Sequence, residues 1–365
     1  MKKRMLSQDI VKGLAILVVC QLHALQLTKE IFYPLVALFG FIMPVFMFLS
    51  GYNYHQKQAA PVILMKKRVG FILKVYLIWC FLMLAIMGPY FYFHKDGTIS
   101  EILTSFAAHL LSESGCKMLG WDVPVVMFRH VLGPCWFLQY LISSSTIFYL
   151  SVDYALKSFK NLFSVVTAFV LTTFLFLQFK IYLPWGFHCA PALAGVMIIA
   201  ARLAVDGQFF APTSKKIWTY INALVCLIIV DVIQISFPSA GILGAGVLGE
   251  VCGGIEVFFM VCFAVFGTYF LINLAKLIEK IPYVSKGLIW LGQHSLEILL
   301  THRPIAYLIR DAMGLPHFIS GDPLYIDKMT VENLVAFFLI FVFMIPLLMA
   351  FDRYKARKKA GAVKQ

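Results

Sequence analysis

Apolar residues do not alternate along this chain. They come in runs of about twenty, cut by short polar stretches rich in Lys and Arg. Coiled as a helix, a run of that length matches the hydrocarbon thickness of a bilayer. None of the runs shows the period-two pattern of a barrel strand, and lipid offers backbone groups no partner, so helices are the expected form. The pattern predicts ten spans, near residues 9–28, 32–54, 69–93, 131–150, 161–179, 183–201, 217–237, 244–272, 286–303 and 331–351. The expected fold class is all-α, a polytopic membrane bundle of about ten transmembrane helices within residues 1–352, followed by a basic tail at 353–365. No repeat, low-complexity tract or linker marks a second domain.

Composition agrees: 61% of the residues are hydrophobic, 13% are charged, and mean hydropathy is +0.85. Soluble domains hold roughly 45–50% apolar and about 25% charged residues, so this chain cannot cover a water-facing surface. That excludes a soluble globular protein, a disordered chain and an extracellular disulfide scaffold. Lys and Arg outnumber Asp and Glu by 13, which points either to nucleic acid or to membrane topology. Position decides between them. With the N-terminus inside, the inner segments 1–8, 55–68, 151–160, 202–216, 273–286 and 352–365 hold 21 of the 31 basic residues, and the outer side holds 8. The bias predicts both termini in the cytoplasm and a multi-pass protein of the inner (cytoplasmic) membrane, and it removes the reason to invoke nucleic acid. The run Arg353-Tyr354-Lys355-Ala356-Arg357-Lys358-Lys359 fits a tail beside anionic lipid. The first apolar run reads as an uncleaved helix: Val19 precedes Cys20, and Asp9 and Lys12 interrupt the run. The eight cysteines read as small apolar packing residues, with one disulfide among Cys116, Cys135 and Cys189 as an option on the outer side.

Ionisable side chains inside a bilayer are expensive, so each is a candidate for function. The first span carries Asp9, Lys12 and His23. Eleven residues separate Lys12 from His23, about 20° short of or past whole turns, so the two share a face roughly 16–17 Å apart along the axis. The ninth span carries Ser295, Glu297 and His302, with Arg303 and Pro304 at its outer end, where the proline is expected to stop the helix. The seventh and eighth spans add Asp231, Glu250 and Glu256, the last two around Gly253-Gly254, and Arg129-His130 precede the fourth. No spacing marks a metal site. Asp231 and Glu256 read equally well as helix–helix contacts, and Gly253-Gly254 as close packing.

These residues resemble the membrane-bound acyltransferase family three, which includes sugar and cell-envelope O-acetyltransferases. Asp9-Ile10-Val11-Lys12-Gly13 and the apolar run to His23 are similar to the family's first helix, with Lys12 at a position usually held by Arg. Phe48-Leu49-Ser50-Gly51-Tyr52 resembles its Ser-Gly motif, and Lys66-Lys67-Arg68 with Tyr76 and Trp79 its basic stretch. Gly133-Pro134-Cys135-Trp136-Phe137-Leu138 resembles its Trp-Phe-Leu motif, and Gly292 to His302 its late helix. Two departures stand out. Lys12 keeps the charge but lacks the bidentate fork of Arg, and Phe71 and Val75 replace a second basic residue and a proline. The resemblance implies transfer of an acyl group, usually acetyl from cytoplasmic acetyl-CoA, to a hydroxyl of an outward-facing glycan or lipid-linked sugar. On this reading Lys12, Arg68 and Lys74, with Asp9 and Trp136, hold the donor, and no metal takes part. His23 serves as general base, or His302 does with His23 as its partner. Glu250 or Glu297 orients the imidazole, and Arg129 or Arg303 steadies an oxyanion. Direct transfer and an acyl-His intermediate both remain open. The competing class is a transporter or flippase whose intramembrane carboxylates and histidines relay protons, although such folds tend to show internal symmetry that is absent here. A third is a receptor using the outer segment 94–130, with Trp121 as an interfacial anchor.

Overall fold

Helices in this protein begin where the sequence supplies a helix start, which is often well before hydropathy rises. The computed structural model describes residues 5–24, 27–28, 42–54, 60–120, 135–207, 218, 221–226, 228–229, 232, 256–315, 325–326 and 330–362. Within them α1 is Leu6–Ala24, α2 Ile42–Tyr52, α3 Pro61–His94, α4 Ile99–Leu111 and α5 Glu113–Met118. They are followed by α6 Trp136–Leu156, α7 Phe159–Gln178, a single 3-10 turn Pro184–Gly186 and α8 Ala190–Asp206. The last four are α9 Glu256–Ile278, α10 Pro282–Gln293, α11 Ser295–Ala312 and α12 Val331–Ala362. Among the described residues the architecture is all-helical apart from a two-residue parallel pairing of Leu27–Thr28 with Tyr325–Ile326. Five segments among the described residues are long and apolar enough to cross a membrane: α3, α7, Pro184–Asp206 around α8, Met260–Ile278 in α9, and Val331–Tyr354 in α12.

Several expected boundaries move, each for a physical reason. The third span starts at Pro61, not near residue 69, because proline at the first helical position needs no amide partner and the basic stretch Lys66-Lys67-Arg68 favours helix. The ninth span is not one helix over 286–303. The chain breaks at His294 (φ −101°, ψ 13°) between α10 and α11. Pro304 does not end α11, which runs on to Ala312 with the proline inside it. The outer segment 94–130 is partly helical: Thr98 opens α4 with a capping box, its side chain taking the Glu101 amide while the Glu101 carboxylate takes the Thr98 amide. At 13 residues α4 is too short to cross a bilayer. The basic run after Asp352 continues α12 as far as Ala362. The described cysteines, including Cys116, Cys135 and Cys189, are free thiols, so the optional disulfide is not formed.

The helices sort by their surfaces. α8 is central, with Ala190, Ala192, Ala194, Gly195, Ala200 and Ala201 all buried; small residues let neighbouring backbones close in. α3 and α12 are peripheral and turn Ile63, Phe71, Ile78, Phe81, Phe338 and Val342 outward, as a lipid-facing wall should. Where α1 meets α10 no side chain intervenes. A Cβ on Gly13 would lie 2.1 Å from the Leu288 carbonyl oxygen, and one on Gly292 would lie 1.9 Å from that of Asp9. Gly51 does the same between α2 and α8, where a Cβ would lie 2.1 Å from the Met197 carbonyl oxygen.

Candidate active site

A cavity of about 310 Å³ lies among α1, α2, α3, α6 and the α10–α11 break. Its polar groups gather at one end: Lys12, Ser50, Asn53, Arg68, Gln293 and Ser295. The rest of the wall is apolar, including Ile16, Met43, Phe46, Ile72, Phe137 and Leu299. The polar end is the end of the bundle that also carries the first turn of α1, the Tyr54 hydroxyl donating to Asp153 (3.0 Å), and the His294–Asp352 contact.

Three sequence motifs converge there. The Arg68 Nη2 group donates to Ser50 Oγ at 2.9 Å, joining the basic stretch of α3 to the Ser-Gly motif of α2. Ser50 thus fixes the guanidinium while Gly51 seats the helix against α8. Arg68 Nε is buried with no hydrogen-bond partner among the described residues, so the guanidinium keeps donor capacity for an incoming anion. Lys12 Nζ lies 3.6 Å from Asp9 Oδ1, so part of its charge is already balanced. Lys74 stands apart: it is exposed and outside the cavity wall. Trp136 is half-buried and stacks edge-on with Phe137 and Tyr140; its neighbours Phe137 and Leu138, not the indole, line the cavity.

The histidines lie further along the same helices. On α11, Ser295 and Leu299 line the cavity, and His302 follows on the same face, about 4.5 Å beyond Leu299. His302 is fully buried, and its Nδ1 is 2.8 Å from the Ile298 carbonyl oxygen. A carbonyl can only accept, so that contact puts the proton on Nδ1 and makes Nε2 the basic nitrogen. On α1, Lys12 and Ile16 line the cavity, and His23 comes seven residues after Ile16 in the same helix; its side chain lies outside the described set. Glu297 sits in the first turn of α11, about 140° round the helix from His302, so the two do not share a face. Arg129, His130, Asp231, Glu250, Gly253, Gly254, Trp121 and the Glu256 side chain also lie outside the described residues.

Just past the cavity wall, around Tyr76 in the middle of α3, lies a second polar assembly that sequence reasoning missed. Gln139 donates its amide to the Tyr76 hydroxyl (2.6 Å) and to the His109 carbonyl (3.0 Å), which also accepts from Tyr76 (3.2 Å). Trp185 donates its backbone amide to Ser112 Oγ (2.9 Å) and its indole to the Leu110 carbonyl (2.8 Å), and its own carbonyl accepts from Ser143 (3.0 Å). His109 is buried, and its Nε2 finds no partner among the described residues. The signal was present in the sequence: Ile102, Ser105, Phe106 and His109 repeat at helical spacing and form the buried face of α4. At the far end of α3, Asp311 takes bonds from Tyr90 and Lys95, fastening α3 to α11, and Arg310 donates to Asn333 at 3.1 Å, fastening α11 to α12.

The arrangement can therefore hold an anion at one end of an apolar cavity and presents an oriented imidazole just past the other end. No curated protein and no solved structure matches this chain. Residues 6–353, all but the two ends, match a family described as an acyltransferase domain, and with its membrane helices the chain belongs to acyltransferase family three as a membrane acyltransferase.

Proposed function

We propose that the protein transfers an acetyl group from cytoplasmic acetyl-CoA to a hydroxyl of an outward-facing glycan or lipid-linked sugar in the inner membrane. The observation that carries this reading is the cavity: Arg68 and Lys12 at one end, with His302 and the position of His23 further along two of its helices. The cations meet the donor phosphates, and the apolar stretch takes the thioester arm. His23, about 16–17 Å from Lys12, acts as general base. The acceptor oxygen attacks the thioester carbonyl, a C–O bond forms as the C–S bond breaks, and the hydroxyl proton passes through the imidazole to the departing thiolate. Ten crossings with both termini in the cytoplasm complete the proposal. Support comes from the first turn of α1 and Asp352 of α12, which lie at the same end of the bundle.

The test is transfer of labelled acetyl from acetyl-CoA to a glycan acceptor by the protein in a bilayer. His23→Ala is expected to lower kcat by about 10²–10⁴ with the fold intact. Full activity in that variant would remove His23 from the mechanism.

A further inference from the structure

Helix α12 does not stop at the membrane boundary, and where it leaves the bundle is informative. Asp352 Oδ2 lies 3.0 Å from His294 Nε2, and His294 sits between Gln293 and Ser295 of the cavity wall. The last acidic residue of the chain is therefore at the polar end of the cavity. Beyond it α12 continues to Ala362, ten residues or about 15 Å of helix. Those ten residues contain Arg353, Lys355, Arg357, Lys358 and Lys359, and no acid.

The cations are not the polar half of an amphipathic helix lying in the membrane surface. Taking Arg353 as zero, the five fall at about 0°, 200°, 40°, 140° and 240°, all round the helix. Tyr354 is the one large apolar residue among residues 353–362. A helix lying in a membrane surface needs a broad apolar face to bury, and this one has none. It extends a span, so it leads out of the bundle beside the cavity rather than along the bilayer.

The cavity is also short of charge for its donor. A CoA thioester carries a pyrophosphate and a phosphomonoester, roughly four negative charges at neutral pH. The wall supplies Arg68 and a Lys12 already paired with Asp9. We propose that the cationic extension of α12, Arg353 to Lys359, binds the nucleotide phosphates of the acyl donor while the thioester arm enters the cavity. This rests on the donor being a CoA thioester.

Full-length protein in zwitterionic-lipid nanodiscs, with a saturating glycan acceptor, tests it. The variant combines Lys355→Gln, Arg357→Gln, Lys358→Gln and Lys359→Gln. Against wild type, KM for acetyl-CoA should rise about tenfold with kcat within twofold, while kcat/KM for acetyl-pantetheine, which lacks the nucleotide, should stay the same. The salt dependence of KM for acetyl-CoA should flatten. An unchanged KM for acetyl-CoA would overturn the proposal. So would equal losses with both donors that appear only when anionic lipid is included, since the extension would then be a membrane anchor. Failure of acetyl-CoA to bind wild type by calorimetry would instead reject the CoA reading beneath it.

Discussion

Two polar groupings in this bundle use their side chains in different ways. At the polar end of the cavity Lys12, Arg68, Gln293 and Ser295 face open space, and Arg68 Nε has no partner among the described residues. About 12 Å further along α3, Tyr76, Gln139, Ser112, Ser143 and Trp185 are tied to one another and to backbone carbonyls, with His109 Nε2 left over. A network tied in this way specifies a structure, whereas polar groups that face a cavity can meet a ligand. The first grouping should therefore govern substrate kinetics and the second stability.

Substitutions that confuse the two groupings would break this comparison. The largest effect is expected at Gly186, which has φ +68° and where a Cβ would lie 2.4 Å from the Tyr140 ring. Gly186→Ala should destabilise the protein by about 3 kcal/mol, read as a lower midpoint of thermal unfolding in detergent, while KM for the donor in the folded fraction stays constant. At the cavity end, Arg68→Gln should raise KM for the donor about tenfold, equivalent to about 1.4 kcal/mol, and leave the unfolding midpoint nearly unmoved. A large fall in stability instead would make Arg68 a structural residue. The smallest effect is Thr98→Ala, which removes the cap of α4 and should cost about 1 kcal/mol of stability with no kinetic change.

Much of the cavity end was legible in the sequence, because its chemistry is expensive in a membrane and therefore conspicuous. Lys12 in an apolar run, Ser50 near the close of one helix and Arg68 in the basic stretch that opens another all converge on the cavity. Lys74 shows the limit of that logic: it has the same charge and lies near in sequence, but six residues past Arg68 it is turned about 120° away from the cavity face. The break at His294 was not legible, since no Pro or Gly stands at that position and Asp352, its partner, is 58 residues away. The Tyr76–Gln139–Trp185 network was missed because its residues are individually ordinary. Tyr76, Gln139 and Ser143 acquire meaning once α3, α4 and α6 are packed, although the Thr98–Glu101 capping box was a local sign of α4.

Helix α3 also works as a depth gauge. Its 34 residues rise about 51 Å, while the hydrocarbon of a bilayer is about 30 Å thick. From Arg68 to Lys95 the rise is about 40 Å, close to the thickness of a bilayer with its headgroup layers. Were α3 to stand along the bilayer normal, these two cations would fall at the two headgroup planes, and the polar end of the cavity would lie level with the phosphates of the surrounding lipids. In that placement a ligand captured by Arg68 is held where the membrane already concentrates phosphate, so its binding is in direct competition with lipid headgroups and should weaken as the anionic lipid content of the leaflet rises.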